Sequence, residues 1–264
     1  MTTCIKKQEL LRAENVCLAY NNKPVLRDIC FSIKDIVRPG VTQGQVVSLV
    51  GRSGIGKTQL FKILSGLQQP GSGKVIINGN KEVEAGDMGV VFQNYYLFEW
   101  RTMYQSLLLS AKQNKKLQGN EKEVVEKWAD EFGLTDILHH YPQQVSGGQR
   151  QRASIIQQLL KDSNFLLLDE PFSGLDICVL DKVVNMLLQV SLSDELKTLI
   201  IVSHDIETSV AISDTVFILG KENGKKGATI RQEIDLIERD LAWHTGVKKE
   251  PAFIETIEEI KASL

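Results

Sequence analysis

A chain of 264 residues that is 42% hydrophobic and 24% charged is long enough to bury a substantial apolar core without disulfide or metal staples, and its formal net charge of −2 provides no basic field for a nucleic-acid partner. Its four cysteines, Cys4, Cys17, Cys30 and Cys178, show no C-x-x-C spacing and no histidine partner pattern, which argues for reduced thiols in a cytosolic protein and against a cysteine metal site. No stretch approaches the roughly 20 apolar residues that cross a bilayer, and MTTCIKKQELLRAEN is too polar for a signal peptide, so a cytoplasmic chain is expected.

Residues Asn15 to Tyr20 alternate, with Val16, Leu18 and Tyr20 on one side. Asn21-Asn22-Lys23-Pro24 supplies turn chemistry, and Val25 to Ile33 resumes an extended pattern, which predicts an antiparallel sheet. The apolar run Val46 to Val50 then reads as a buried parallel strand. It leads into GRSGIGKTQ, in which Gly51, Gly56, Lys57 and Thr58 meet the pattern G-x-x-x-x-G-K-[ST]. Small residues there let successive backbone N–H groups turn inward around phosphate oxygens. Leu60, Ile63 and Leu64 share one helical face of the following segment, so the loop ends at a helix N-terminus, where the dipole also favours an anion. Lys57 is placed to reach β- and γ-phosphates and the Thr58 hydroxyl to meet Mg²⁺. Lys74 to Asn78 and Met88 to Phe92 are further predicted strands, separated by glycine turns. Gln93, directly after the second, either ligates Mg²⁺ or orients water, or starts the helical insertion.

From residue 94 to residue 160 the pattern turns helical, as in Glu121 to Phe132, which predicts a helical subdomain inserted into a nucleotide-binding core of residues 1–93 and 161–264, all within one domain of residues 1–264. Near its end, Ser146, Gly147 and Gly148 open a helix and form a second potential anion cradle. One nucleotide does not need two cradles in one chain, so the second makes sense if it serves another copy. The competing reading is an ordinary serine N-cap with glycines for close packing. Phe165 to Leu168 forms a buried strand ending in Asp169 and Glu170, suited to holding Mg²⁺ and polarising an attacking water respectively, unless the pair is a solvated strand cap. A helix from about Val179 to Val190 and a strand from Thr198 to Val202 complete a β-α-β unit. His204 follows it, either sensing a γ-phosphate or serving the fold. Thr215 to Leu219 and Ala228 to Gln232 predict a hairpin, followed by charged helical segments.

In these residues the chain resembles the ATP-binding subunit of an ABC transporter from Tyr20 to His204. GRSGIGKT resembles the family's Walker A, Gln93 its Q-loop, VSGGQ its signature, FLLLDE its Walker B, SGLD its D-loop and His204 its switch histidine. Trp100-Arg101 stands at a spacing similar to that of the nitrate/sulfonate/taurine-type importers. The resemblance implies an α/β fold, a P-loop NTPase core of ABC ATPase type with an N-terminal antiparallel β subdomain and an inserted helical subdomain. It implies ATP with Mg²⁺ on Thr58, Gln93 and Asp169, and catalytic roles for Glu170, His204 and Gln93. Tyr20 would stack on adenine, and Gly51, Arg52, Ser53, Gly54, Ile55, Gly56, Lys57, Thr58 and Gln59 would wrap the phosphates. Ser146, Gly147, Gly148, Gln149 and Asp176 would meet the nucleotide of a second copy in a homodimer.

Further partners implied are transmembrane permease subunits and, indirectly, a solute-binding protein, with the chain peripheral on the cytoplasmic face of the inner or plasma membrane. Gln59 departs from the family's usual Ser or Thr, Val145 from Leu, Gly174 from Ala and Glu99 from Pro. Residues 34–43 are longer than the usual turn and are expected to be a surface loop. The alternative is a soluble ABC ATPase acting on ribosomes, DNA or another protein complex. Such proteins usually carry tandem cassettes or long coiled-coil insertions, and this chain has one cassette with a short helical insertion.

Overall fold

The computed structural model describes residues 4–38, 43–161, 163–173, 177–193, 197–242 and 246–264. The chain opens on a long antiparallel hairpin, β1 (Ile5–Tyr20) and β2 (Lys23–Val37). Its turn is Asn21-Asn22, with φ of 48° and 60°, the left-handed pair that matches strand twist in a two-residue hairpin and that asparagine tolerates better than most residues. The structure corrects the expectation of a surface loop over residues 34–43. Lys34 to Val37 continue β2 and pair with β1 through Glu9↔Lys34, Lys6↔Ile36 and Ile5↔Val37. Ile33 and Ile36 are both buried, so the extension is held by apolar contact as well as by its ladder. Beyond it, Arg38 donates to the Gly44 carbonyl and pairs with the fully buried Asp214 carboxylate, tying the end of β2 to the centre of the molecule. Residues 39–42 lie outside the described residues.

The remaining strands are β3 (Gln45–Val50), β4 (Ser72–Ile77), β5 (Lys81–Glu82), β6 (Gly89–Val91), β7 (Phe165–Asp169), β8 (Thr198–Ser203), β9 (Thr215–Lys221) and β10 (Ala228–Asp235). They form a ten-stranded sheet in the order β5-β4-β1-β2-β10-β9-β3-β8-β7-β6. Strands β9, β3, β8, β7 and β6 run parallel, and β10 returns antiparallel to β9 and meets β2 at Ala228↔Leu26. The antiparallel hairpin and the parallel core are therefore one continuous sheet.

The parallel strands read as unbroken apolar runs because both their faces are covered. In β7, Phe165 and Leu167 enter one core cluster while Leu166 and Leu168 enter the other, and in β8 Ile200 and Val202 are likewise separated from Leu199 and Ile201. Burying each such side chain is worth about 1.5–3 kcal/mol. One face is covered by α1 (Lys57–Leu64) through Leu60, Phe61, Ile63 and Leu64. On the other lie α2 (Met103–Ala111), α3 (Glu121–Glu131), α4 (Gly147–Leu159) and α5 (Ile177–Ser193). Near the end of the chain, α6 (Ile206–Ile212) and α7 (Pro251–Ser263) share a third cluster that includes Val216, Ile218 and Ile260. Because β3, β6, β7 and β8 are parallel, the residues following them all emerge at one edge of the sheet.

Candidate functional site

Gly51 ends the exit from β3, and a Cβ there would stand 2.8 Å from the Leu219 carbonyl oxygen, a backbone atom that cannot yield. Gly56 caps α1 at φ 116°, a conformation closed to side-chain-bearing residues. No side chain caps α1, and the N–H groups of Gly56, Lys57 and Thr58 have no partner among the described residues. The loop thus ends in free donors at a helix N-terminus, with Arg52, Ser53, Gly54 and Thr58 exposed, Ile55 packed against the core and Gln59 half-buried.

Lys57 is 7% exposed, and its Nζ folds back over this loop to donate to Gly51 O (3.0 Å) and Arg52 O (3.3 Å). It also stands 3.2 Å from Glu170 Oε1. Glu170 has φ 51°, and its N–H donates to Val202 O (2.8 Å), so β8 fixes the carboxylate in a left-handed turn just past β7. Holding a non-glycine residue there costs about 1–3 kcal/mol, which the surrounding bonds must offset. Those bonds converge on Oε2, where His204 Nδ1 lies at 2.7 Å, the His204 N–H donates at 3.2 Å and Ser203 Oγ donates at 3.3 Å. With the carboxylate as acceptor, this network assigns the imidazole proton to Nδ1. Lys57, Glu170, Ser203 and His204 form one connected chain of polar groups across β3, β7 and β8.

Asp169 is 4% exposed. Burial, and then the neighbouring Glu170 carboxylate, push its carboxyl above the ordinary range, while a hydrogen bond from Thr58 and the charges of Lys57 and Lys62 pull it back. Its Oδ1 is buried with no hydrogen-bond partner among the described residues. An orphaned carboxylate oxygen beside a threonine hydroxyl and a row of free N–H groups is a hard-oxygen site that fits Mg²⁺ in the presence of phosphates.

Other sequence-predicted residues stand apart from this cluster. Gln93 is exposed in the segment after β6 and makes no hydrogen bond to it among the described residues. Ser146 Oγ accepts from Gln149 N (3.3 Å), and Gln149 Oε1 accepts from Ser146 N (2.9 Å), a reciprocal cap on α4. Ser146 and Gly147 are exposed, Gly148 is half-buried, and a Cβ on Gly147 would meet nothing within 4 Å among the described residues. Packing among the described residues therefore does not require that glycine. Asp176 and Gly174 lie outside the described residues. Tyr20 is half exposed, and its hydroxyl bonds Gln59 and Gln68. Gln68 escaped sequence reasoning because no motif includes it. Ser203 had a signal, a polar residue ending an apolar strand beside His204.

The aromatic segment after Gln93 is mostly outside the core. Tyr96 and Trp100 are 68% and 73% exposed, Phe98 packs on Trp100 with ring centroids 5.4 Å apart, and only Tyr95 leans on the helical cluster. Phe92 contacts both Phe61 of α1 (5.7 Å) and Tyr96 (5.3 Å), linking the phosphate-loop helix to this segment.

Residues 35–173 match the family model described as ABC transporter. The chain is 36% identical over 214 residues to the uncharacterized ABC transporter ATP-binding protein YtlC of Bacillus subtilis (strain 168), covering 80% of each chain. It is 30% identical over 242 residues to the taurine import ATP-binding protein TauB of Pelagibacter ubique (strain HTCC1062), covering 89% of this chain and 85% of that one. Its fold is similar to that of the ATP-binding cassette MJ0796, solved as a dimer in a post-hydrolysis state with ADP and Pi, at a TM-score of 0.70 and 22% identity over 86% of this chain and 99% of that one. The fold is that of an ABC-type P-loop ATPase, and the chain belongs to the ABC transporter family as an ATP-binding, ATP-hydrolysing member.

Proposed function

We propose that this chain is the motor subunit of a solute importer, working as a head-to-tail homodimer that clamps each ATP between Gly51–Thr58 of one copy and Ser146, Gly147, Gly148, Gln149 and Asp176 of the other. The observation that carries the second half of the clamp is the open space over Gly147, beside a serine cap that is exposed and makes no hydrogen bond to its own chain's phosphate loop. A backbone surface kept bare of side chains suits the close approach of a phosphate from outside. Tyr20 supplies the platform for the base, and the free N–H groups at α1 with Lys57 hold the phosphates. Thr58, Asp169 and Gln93 would hold Mg²⁺, which would neutralise developing phosphate charge. Glu170 accepts the proton of the attacking water as the γ-phosphorus bond to the bridging oxygen breaks, giving ADP and phosphate. His204 fixes the Glu170 carboxylate and is placed to meet the γ-phosphate.

Ser146→Arg should leave ATP affinity intact while lowering hydrolysis about 100-fold or more, because the bulky cation meets the other copy's nucleotide. Equal loss of both in calorimetry and a phosphate-release assay would return Ser146 to the role of a helix cap.

The importer assignment places the chain on the cytoplasmic face of the membrane against permease subunits. No helix among the described residues is long and apolar enough to cross a membrane, so membrane attachment would come from a partner. The exposed Tyr96 and Trp100, with the half-buried Phe98 packed on Trp100 and Arg101 at the rim, are a surface of the kind that anchors an interface. The relatives favour a solute with an oxyanion group, since taurine, which TauB's name carries, is a sulfonate. Trp100→Ala should change the stability of the isolated subunit by less than about 0.5 kcal/mol and leave its basal hydrolysis unchanged. It should weaken co-purification with the membrane subunits by about 30-fold and abolish uptake. Unfolding of the isolated variant would mean that Trp100 serves the core.

A further inference from the structure

We propose that Gln59 and Gln68 are positioning residues that hold the Tyr20 ring ready for the nucleotide base, an inference that rests on the reading of Tyr20 as the base platform. Tyr20 ends β1 directly before the hairpin turn and is 47% exposed. A ring so placed would ordinarily swing about two torsions, and stacking would have to stop that motion. Here the hydroxyl is held twice. Its proton is donated to Gln59 Oε1 at 2.8 Å, and its oxygen accepts from Gln68 Nε2 at 2.8 Å. The two bonds use complementary capacities of one phenol, so neither displaces the other.

One glutamine lies in the phosphate-loop helix and the other in the turn that follows it. Gln59 stands in the first turn of α1, one residue after Thr58. Gln68 follows the helix end in a turn where Leu67 N and Gln68 N both donate to Lys62 O, at 2.9 and 3.1 Å. The element that presents free N–H groups to phosphate thus also sets where the aromatic ring stands, and the spacing between phosphate and base subsites is fixed before a nucleotide arrives. A Ser or Thr at position 59 has a side chain too short to stand in for the Gln59 amide. The departure at Gln59 therefore changes what the residue can hold, from a neighbour on the loop to a strand 39 positions away.

The test titrates the full chain calorimetrically with ATP and with inorganic tripolyphosphate, each in the presence of Mg²⁺. Gln59→Ala and Gln68→Ala should each weaken ATP binding by about three- to tenfold, the cost of ordering a freed side chain, and leave tripolyphosphate binding unchanged. Tyr20→Phe should reproduce the loss, and adding Gln59→Ala to it should cost nothing more. The proposal is overturned if Gln59→Ala weakens tripolyphosphate as much as ATP, which would put Gln59 on the phosphates, or if Gln68→Ala leaves ATP binding unchanged. Tyr20→Ala separates this failure from that of the underlying reading. If it weakens ATP binding while neither glutamine variant does, the tether alone is wrong, whereas unchanged ATP binding in Tyr20→Ala removes the base platform itself.

Discussion

Lys57→Ala is expected to weaken ATP binding by about 2–5 kcal/mol, a loss of roughly 30- to several-thousand-fold, measured by calorimetry. Lys57 is the buried cation of the phosphate loop, and its Nζ already lies over the loop carbonyls of Gly51 and Arg52. Phosphate binding would exchange those neutral acceptors for charged ones, which strengthens each bond. The substitution also acts without nucleotide. It leaves Glu170, 8% exposed, without the cation 3.2 Å away and beside the Asp169 carboxylate, so the nucleotide-free variant should also melt at a lower temperature than the parent. Circular dichroism at the titration temperature separates the two effects, because a chain that is still folded and still fails to bind has lost a phosphate contact. Parental affinity in a folded Lys57→Ala protein would remove Lys57 from the site.

Glu170→Gln should lower hydrolysis by about 10²–10⁴-fold while leaving ATP bound. The amide oxygen can still accept from Ser203 Oγ and the His204 N–H, so the left-handed turn at residue 170 keeps its supports. The charge that draws a proton from water is gone. So is the attraction that holds Lys57 to residue 170, and ATP affinity should therefore be equal to or tighter than the parental value. With binding intact and turnover blocked, an ATP-bound dimer should accumulate in light scattering. Parental turnover, or a monomer with ATP at every protein concentration, would show that another group activates the water.

Features that depend only on the neighbouring backbone can be read along the chain. The phosphate loop is legible because Gly56 needs φ 116° and Gly51 needs room against Leu219 O, demands that only glycine meets. Strands β3, β7 and β8 are legible because two-sided burial leaves an unbroken apolar run, and the Asn21-Asn22 turn because few residues accept two left-handed positions in succession. The short helix α6 carries a local signal of the same kind, Asp205 accepting from Thr208 N at its start.

Tertiary structure decided what depends on residues distant in the chain. The extension of the first hairpin to Ile5↔Val37 needed two strands to agree on a register, with its polar outer residues giving no clean alternation. The merging of the hairpin with the parallel core rests on Ala228 meeting Leu26. The exposure of Trp100 against the half-burial of Tyr95 follows from where α2 to α5 lie, and periodicity within the segment does not encode it. The Glu170–His204 bond spans 34 positions and the Tyr20–Gln68 bond 48. Sequence placed Glu170 and His204 at the same edge of a parallel sheet, but only strand order makes β7 and β8 neighbours and turns that shared edge into a 2.7 Å contact. Side-chain chemistry is local, whereas proximity is a property of the whole sheet, because each strand's neighbours are chosen by the packing of all the others.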